Sequence, residues 1–430
     1  MKKYLALLLV LVMVLSLAAC ASKPAETTDE PEQTTPVPAP AEETKDEEPA
    51  PAEETKEEEP TEEPADNTEY AVAMITDYGD ITDQSFNQTT YEACKAFCEA
   101  NGITFNYFKP AGDNTADRVA MIEKAVDEGY NVIVMPGYAF GGAIVEAAPE
   151  FPDVKFIALD VAKGDLLEAG VAKAGESYDY NPDNWDLEKY VDMSNVYCAI
   201  YQEELCGYMA GYAAVKLGYE KLGFLGGMAV PAVIRYGYGY VQGADAAAQE
   251  LGTNIDINYF YGGQFYGDAN ITSRMEGWYS NGTQVVFACG GGIYTSAVEA
   301  ALKSNGYVVG VDVDQNYIGV NGVADGSFAY NPFITSAMKG LTEAVNTALS
   351  DIDAGDWGDI AASNGNFGLE DGDYVGLPTD ADSWNFETFT TDEYEALKEK
   401  IKSGEITVDN NSDDATKPTV SEFTTVNYIQ

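Results

Sequence analysis

The chain has 430 residues, and 72 Asp and Glu residues against 23 Lys and Arg residues give a formal net charge of −49 at pH 7. A surface of this sign repels a phosphate backbone, which excludes nucleic acid as a partner. The absence of histidine excludes Ser-His and Cys-His nucleophile pairs and imidazole metal sites.

The first 20 residues have the pattern of an export signal. Lys2 and Lys3 precede an apolar run over residues 4–15, which is shorter than the roughly 20 residues of a membrane-spanning helix. Leu17-Ala18-Ala19-Cys20 resembles a lipobox. By that resemblance Cys20 carries acyl chains, becomes the mature N-terminus and anchors the protein in the lipid bilayer at the extracytoplasmic face of the cell membrane.

Residues 21–68 are predicted to be a disordered acidic tether. They consist mainly of Pro, Glu, Thr, Ala and Asp and contain no aromatic residue, so they bury too little apolar surface to offset the entropy of ordering. Like charges and prolines keep such a chain extended. An acidic interaction tail is the alternative interpretation.

From residue 69 onward, short apolar runs alternate with amphipathic stretches, which predicts an α/β fold with mainly parallel sheets. The predicted strands are Tyr70–Ile75, Thr104–Tyr107, Val132–Met135, Lys155–Leu159, Val196–Ala199, Lys221–Leu225, Ile255–Tyr259, Val285–Ala288 and Tyr307–Val311. The predicted helices include Thr89–Ala100, Ala116–Glu128, Cys206–Leu217, Gly239–Leu251, Thr295–Ser304 and Thr391–Lys402. Residues 164–192 form an insert without an assigned role, and residues 356–372 are expected to form a hairpin.

Acidic residues and glycines follow several of these strands. Asp77, Asp160 and Asp312 each stand at a strand end, where the loops of an open parallel sheet converge on ligands. Phe86 and Phe265 supply aromatic faces near such ends, and Lys339 supplies a cation. Aromatic faces, carboxylates and amides together suit a neutral polyhydroxylated ring ligand.

The cysteines other than Cys20 are interpreted as buried free thiols. Their number is odd and none of them forms a CxxC pair, so neither a disulfide framework nor a metal site is favoured. They are Cys94, Cys98, Cys198, Cys206 and Cys289. No cofactor, metal or catalytic residue is predicted.

A run of motifs between about Tyr70 and Val408 resembles the basic membrane lipoproteins, which are substrate-binding proteins of ABC transporters and include purine nucleoside receptors. The opening motif is Thr76-Asp77 with Asp83-Gln84-Ser85-Phe86-Asn87-Gln88. The further motifs are Asn195-Val196, Gln202-Glu203-Glu204, Gly207-Tyr208-Met209-Ala210-Gly211, residues 222–228, Pro231 with Ile234-Arg235, Gly290-Gly291-Gly292, residues 310–315, residues 335–339 and residues 402–406.

The resemblance implies a type I periplasmic-binding-protein fold, with two α/β lobes joined by three crossovers and a nucleoside held between them. The N-terminal lobe is expected to contain residues 69–162 and about 340–372. The C-terminal lobe is expected to contain residues 163–339 and about 373–430. Closure of the lobes on the ligand is the form that permease subunits of the transporter are expected to recognise, and no bond is made or broken.

By position in the motifs, the resemblance also implies roles for individual residues. Phe86 and Phe265 stack on the base, and Asp160, Asp312 and Lys339 contact the sugar or the base edge. Asp77, Asp83 and Asn87 orient the ligand, and Gly137, Arg235 and Gly291 line the cleft. The chain departs from the family pattern at Asp80, where glycine is common, and at Tyr236, where phenylalanine is usual.

Three alternatives stay open at this point. Asp77, Asp80 and Asp83 resemble part of the calcium-binding cluster of nucleoside hydrolases, although the adjacent double aspartate is missing. The same fold also binds sugars and other polyhydroxylated ligands, in transport or in signalling. Finally, Asp160 and Lys339 could be structural hinge residues rather than ligand contacts.

Overall fold

The computed structural model describes residues 70–384 and 386–430. Cys20, the export signal and the tether therefore lie outside the described residues. Among the described residues, no helix combines the length and the apolar character needed to cross a membrane.

Two mainly parallel sheets organise the described chain. The first contains six strands in the order β11-β5-β4-β3-β1-β2, and the neighbours all run parallel. Its strands are β1 (Ala71–Ile75), β2 (Thr104–Phe108), β3 (Val132–Pro136), β4 (Lys155–Leu159), β5 (Val196–Tyr201) and β11 (Ser363–Phe367). The central strand β3 is buried along its whole length, as expected for a strand covered by helices on both faces.

The second sheet contains seven strands in the order β12-β10-β9-β8-β6-β7-β13. Its strands are β6 (Lys221–Gly226), β7 (Ile255–Tyr261), β8 (Val285–Cys289), β9 (Tyr307–Asp312), β10 (Phe333–Lys339), β12 (Val375–Gly376) and β13 (Thr424–Tyr428). The short edge strand β12 pairs antiparallel with β10, and the remaining pairs are parallel.

Helices connect and cover the strands. They are α1 (Phe86–Asn101), α2 (Thr115–Asp127), α3 (Gly141–Ala147), α4 (Lys163–Lys173), α5 (Glu203–Lys216), α6 (Pro231–Leu251), α7 (Ala269–Ser280), α8 (Tyr294–Ser304), α9 (Asn316–Asp325), α10 (Leu341–Ala354), α11 (Trp357–Ile360) and α12 (Thr391–Lys402). Local sequence explains several ends: Thr390 and Glu393 form a capping box at α12, and Gly102 ends α1 in the left-handed conformation.

The chain passes between the two sheets three times. It leaves the first sheet after Tyr201, returns after Lys339 and leaves again after Phe367. These three passages agree with the number of crossovers that the sequence analysis expected. Each sheet with its helices forms one lobe.

The nine strands predicted from the sequence are all present, but one lobe boundary is wrong. The sequence analysis placed residues 163–339 in the second lobe, whereas β5 pairs with β4 in the first sheet and α4 packs on α3. The first lobe therefore extends to about Tyr201. A buried parallel strand such as β5 is an apolar run whichever sheet it joins. Its sequence therefore does not indicate which strand it pairs with.

The expected hairpin at residues 356–372 is also wrong. This stretch contains the short helix α11 and the strand β11, which pairs parallel with β5. The insert at residues 164–192 contains the helix α4 followed by two short 3-10 turns. The five cysteines in the described chain are buried and free, as predicted.

Candidate functional site

A cavity of about 340 Å³ lies between the two lobes, at the carboxyl ends of the parallel strands. Pockets of roughly 300–1,000 Å³ are typical of small-molecule sites. From the first lobe the cavity is lined by Asp77, Tyr78, Gly79, Asp80, Thr82, Asp83, Phe86, Asn87, Lys109, Gly137, Tyr138 and Asp160. From the second lobe it is lined by Val230, Ala232, Val233, Tyr236, Phe265, Tyr266, Cys289, Gly290, Gly291, Gly292, Val311, Asp312 and Lys339.

The turn after β1 places three of these residues. Asp77 accepts hydrogen bonds from the backbone N–H groups of Tyr78 and Gly79 at 2.6 and 2.7 Å. A side chain on Gly79 would place its Cβ 2.2 Å from Nδ2 of Asn87 and would displace the Asn87 side chain. The turn therefore fixes the backbone position from which the Tyr78 side chain extends.

Asp83 organises the start of helix α1. Its carboxylate accepts hydrogen bonds from the backbone N–H groups of Ser85, Asn87 and Gln88, each at 3.0 Å. These are N–H groups that a helix N-terminus leaves without partners inside the helix. Burial raises the pKa of Asp83 to about 6, and the N–H donors oppose this effect.

The side chain of Phe265 lies on a shelf of glycine backbone. A Cβ on Gly227 would lie 2.3 Å from the Phe265 ring, and a Cβ on Gly290 would lie 2.8 Å from it. Gly290 also has a φ of +141°, which side chains rarely adopt. The glycines after β6 and β8 thus provide the room in which the aromatic ring lies flat against the second lobe.

A buried cluster of charges joins the lobes at the base of the cavity. Lys339 Nζ donates a hydrogen bond to Asp160 Oδ2 at 2.5 Å and lies 3.6 Å from both Glu203 Oε1 and Asp312 Oδ1. Glu203 is fully buried, and its Oε2 accepts from Arg235 Nε at 2.7 Å. Three carboxylates thus surround the Lys339 ammonium. They compensate its buried charge, as the burial of a cation requires.

The charges of this cluster follow from burial and from mutual attraction. Burial raises the pKa of Asp160 to about 7, although Lys339 opposes the shift. Burial alone would lower the pKa of Lys339, but the carboxylates of Asp160, Asp312 and Glu203 outweigh it and raise that pKa above its usual range. Lys339 therefore stays positively charged at neutral pH.

Asp160 and Asp312 adopt the same unusual backbone conformation at the ends of β4 and β9. Their φ angles are +60° and +67°, in the left-handed region that costs a non-glycine residue roughly 1–2 kcal/mol. Strain of this kind persists where the surroundings hold it, and it clusters at functional sites. The conformation turns both aspartates into the cavity, where they line its wall.

Direct hydrogen bonds also join the two lobes across the cleft, near the opening motif of the first lobe. Ser85 Oγ donates to Asp312 Oδ2 at 2.5 Å, and Gln315 Nε2 donates to the backbone oxygen of Gln84 at 3.0 Å. Tyr317 donates from its hydroxyl to Gln84 Oε1 at 2.8 Å. The two lobes are in contact along this edge of the cavity.

The structure brings ten of the eleven expected ligand-binding residues to the cavity. They are Asp77, Asp83, Phe86, Asn87, Gly137, Asp160, Phe265, Gly291, Asp312 and Lys339. Arg235 is the exception: it is not among the lining residues, because its guanidinium turns away to pair with Glu203. An arginine in the first turns of a helix, as Arg235 is in α6, looks the same from the sequence whether it faces a ligand or a buried carboxylate.

The sequence analysis missed several residues at the site. Tyr78 and Tyr138 line the first-lobe side, and Tyr236 donates to Asp312 at 3.4 Å from the second lobe. Glu203 completes the shell around Lys339. Tyr78 directly follows Thr76-Asp77 of the opening motif, so an aromatic residue next to a strand-end aspartate was the signal that could have found it. For Glu203, its place in the Gln202-Glu203-Glu204 motif was the available signal.

The three aspartates that resembled a calcium cluster have other partners. Asp77 accepts from backbone N–H groups, and Asp83 caps α1. Asp80 accepts from Lys109 at 2.9 Å and from the Thr82 hydroxyl at 2.7 Å. Within residues 70–384 and 386–430, no group of three or more Cys, Asp or Glu residues is arranged to hold a metal ion. Each of these three aspartates is thus engaged by other groups of the protein.

Comparison with known proteins gives consistent matches. A family model described as ABC transporter substrate-binding protein, PnrA-like, matches residues 70–412. The chain is 28% identical over 298 residues to the ABC transporter nucleoside-binding protein BmpA of Lactococcus lactis subsp. cremoris, covering 66% of this chain and 74% of that protein. It is 27% identical over 352 residues to Basic membrane protein A of Borreliella burgdorferi, covering 80% and 88% of the two chains.

Solved structures share the architecture. An ABC transporter solute-binding protein from Aeropyrum pernix K1 superposes with a TM-score of 0.62 at 20% identity, covering 80% of this chain and 95% of that one. A second, from Conexibacter woesei, gives 0.58 at 22% identity and covers 79% and 99%. The likeness confirms the expected two-lobed periplasmic-binding-protein fold.

Proposed function

This chain belongs to the PnrA-like family of ABC transporter substrate-binding proteins, and we propose that it binds a purine nucleoside in the cavity between its lobes. Proteins of this kind act outside the cytoplasm, together with the permease of their transporter. The nucleoside ligand, its delivery to the permease, anchoring through Cys20 and the lack of catalysis are the finer parts of the proposal.

The observation that carries the proposal is the composition of the cavity wall. Aromatic side chains from both lobes, Tyr78 and Phe265 among them, line the same cavity as the carboxylates of Asp160 and Asp312. Flat apolar faces suit a heteroaromatic base, and carboxylates accept hydrogen bonds from ribose hydroxyls. A ligand that has both a planar ring and several hydroxyl groups uses both parts of this wall.

The energetics of such binding are sufficient. A hydrogen bond to a charged acceptor contributes about 1.5–3 kcal/mol, and an aromatic stack adds roughly 0.5–1.5 kcal/mol beyond its burial. Four or five such interactions, less the cost of ordering, reach about −8 kcal/mol, which corresponds to a micromolar dissociation constant or tighter.

The charge of the site supports a neutral ligand. Lys339 is already surrounded by Asp160, Glu203 and Asp312, so its charge is neutralised before any ligand arrives. At the rim, Lys109 is paired with Asp80 at 2.9 Å. A phosphate entering the cavity would meet carboxylates rather than an available cation, so nucleotides should bind more weakly than nucleosides.

Closure supplies the mechanism by which the ligand is retained. Three chain passages join the lobes, and groups from both sides meet at Asp160–Lys339 and Ser85–Asp312. Ligand contacts made from both lobes favour the closed arrangement over the open one, because only the closed form makes them all. On this view Asp160 and Lys339 serve both the lobe contact and the ligand.

A thermal-shift panel tests the proposal. The purified protein is melted with inosine, guanosine, adenosine, the corresponding free bases, ribose and inosine monophosphate at increasing concentration. A purine nucleoside should raise the melting temperature as RT ln(1 + [L]/Kd) requires, and the monophosphate should raise it less. A response to ribose but to no nucleoside would replace the proposal with a sugar ligand.

Release of free base settles the question of catalysis. Inosine is incubated with the protein and calcium, and hypoxanthine is followed by chromatography. Recovery of intact inosine is expected, whereas multiple turnovers of hypoxanthine would contradict the binding-protein proposal.

A further inference from the structure

Two of the chain passages between the lobes meet at one ion pair. Glu203 lies just after Tyr201, where β5 ends and the chain first leaves the first lobe. Lys339 is the last residue of β10, where the chain returns to that lobe. The Glu203 carboxylate lies 3.6 Å from the Lys339 ammonium. Their contact therefore lies at the hinge, where the chain joins the two lobes.

Only one end of this contact reaches the cavity. Lys339 lines the cavity wall, whereas Glu203 and Arg235 are not among the lining residues. Glu203 is fully buried, and one of its oxygens accepts a hydrogen bond from Arg235 Nε at 2.7 Å while the other faces Lys339. A row of alternating charges thus runs from Arg235 through Glu203 to the ammonium at the cavity wall.

The helices that carry Glu203 and Arg235 are held at close range. Glu203 is in the first turn of α5, and Arg235 is in α6. A Cβ on Gly239 of α6 would lie 1.9 Å from the backbone oxygen of Glu204, which follows Glu203 in α5. The glycine therefore lets the two backbones touch beside the ion pair, and this contact fixes the distance from which Arg235 reaches Glu203.

Arg235 keeps its positive charge in this setting. Burial alone would lower the pKa of Arg235, but the carboxylates of Glu203, Glu204 and Asp160 outweigh it and raise that pKa. Asp160 belongs to the cavity wall. The charge of Arg235 is therefore coupled to the ligand site although its guanidinium lies outside it.

The pair also determines where the Lys339 ammonium lies. Lysine carries three donors on a flexible stem, and carboxylates attract this one from two sides. Asp160 and Asp312 attract it from the cavity wall, and Glu203 attracts it from the hinge. Because Arg235 occupies one oxygen of Glu203, the attraction from the hinge is weakened. The ammonium stays with Asp160 at 2.5 Å, and Glu203 is 3.6 Å away.

We propose that Arg235 and Glu203 are positioning residues for the ligand site. They do not touch the ligand. Their ion pair at the hinge keeps the Lys339 ammonium at the cavity wall, where it can donate a hydrogen bond to a ligand oxygen. The affinity for the ligand is thus set in part from outside the cavity. This inference rests on the proposed function and deepens it, because it adds two residues that govern the same site.

Isothermal titration calorimetry with inosine tests the role of the pair. The titrations are run at pH 8, above the pKa of about 7 of Asp160. Arg235→Met removes the partner of Glu203, which then draws the ammonium away from the cavity. The loss of one hydrogen bond to a charged group weakens binding about ten-fold or more. Arg235→Met should show a loss of this size.

The double variant Arg235→Met/Glu203→Gln distinguishes positioning from packing. In the parent, three carboxylates face the two cations Arg235 and Lys339. The single variant leaves three carboxylates with one cation. The double variant leaves two carboxylates with one cation, so it restores the net charge of the parent, and it should bind inosine within about three-fold of the parent. If Arg235 acted only by packing, the double variant would bind no better than the single one.

Arg274→Met is the matched control. Arg274 is also partly buried, but it lies on α7 over the Phe260 ring and is not among the lining residues. Its replacement should leave the affinity for inosine unchanged. Melting without ligand verifies that each variant folds. If Arg235→Met does not fold, Arg235→Gln takes its place, alone and combined with Glu203→Gln, because the glutamine amide can still donate from near the position of Nε.

The outcomes separate this inference from the proposed function. An affinity of the single variant equal to that of the parent would overturn the positioning role and leave the proposed function intact. An equal loss in the single and the double variant would also overturn it, because charge would then not be the cause. A parent protein that binds no nucleoside would remove both proposals.

Discussion

Replacing Lys339 with methionine tests whether the buried charge cluster holds the lobes together. The substitution keeps the apolar length of the side chain but removes the charge that faces Asp160, Glu203 and Asp312. Lys339 is 3% exposed, so solvent screens its charge little. Removing one partner of a buried ion pair costs about 3–5 kcal/mol, because the remaining charge is left uncompensated.

The loss of stability in Lys339→Met should increase as the pH rises. Burial raises the pKa of Asp160 to about 7 even with Lys339 present. Without Lys339 this pKa rises further, so the variant keeps Asp160 protonated to higher pH in the folded state. When the pKa of a carboxyl group is higher in the folded than in the unfolded state, the free energy of unfolding of the protein falls as the pH rises through the folded-state pKa. The deficit of the variant should therefore be larger at pH 8.5 than at pH 6.

Urea unfolding at the two pH values measures the effect, with Lys303→Met as the matched control. Lys303 also contacts two carboxylates, at 2.6 and 2.8 Å, but it is half-exposed on the surface of α8. Exposed ion pairs contribute little to stability, so this control should unfold nearly as the parent does. If Lys339→Met loses no more stability than Lys303→Met at pH 8.5, the cluster does not have the stabilising role assigned to it.

Three further substitutions test other parts of the site. Gly227→Ala would place a Cβ 2.3 Å from the Phe265 ring; the displaced ring should weaken inosine binding by about ten-fold in calorimetry, and unchanged affinity would contradict the glycine shelf. Asp83→Asn keeps the oxygen that accepts from the backbone N–H groups of Ser85 and Gln88 but removes a carboxyl whose pKa burial raises to about 6. Since that group destabilises the folded state as pH rises from about 4 to 6, the variant should gain about 3 kcal/mol on the parent between pH 4 and 7 in urea unfolding, and parallel pH profiles would refute this. Ser85→Ala removes the donor to Asp312 across the cleft and should weaken ligand binding by roughly three- to ten-fold in the same titration; an affinity equal to the parent's would show that this bond does not favour closure.

The sequence alone determined the fold class and ten of the residues that line the cavity. Parallel strands place their carboxyl ends on one edge, so aspartates and glycines after apolar runs marked the site before any contact was known. This is why Asp77, Asp160 and Asp312 could be predicted as neighbours although they lie far apart in the chain. The resemblance to the family's motifs added roles for Phe265 and Lys339.

Tertiary structure alone decided which groups meet. The strand β5 joined the first sheet because pairing with β4 is a non-local choice that its own residues do not record. Arg235 turned from the expected cavity to Glu203, and Tyr78 rather than Phe86 came to stack on Phe265. Patterns in the local sequence determine the chemical groups that a residue offers and the strand or helix near which its backbone lies. Its partner depends on how two lobes approach each other, and the physical reason is that packing and charge pairing act between residues distant in sequence.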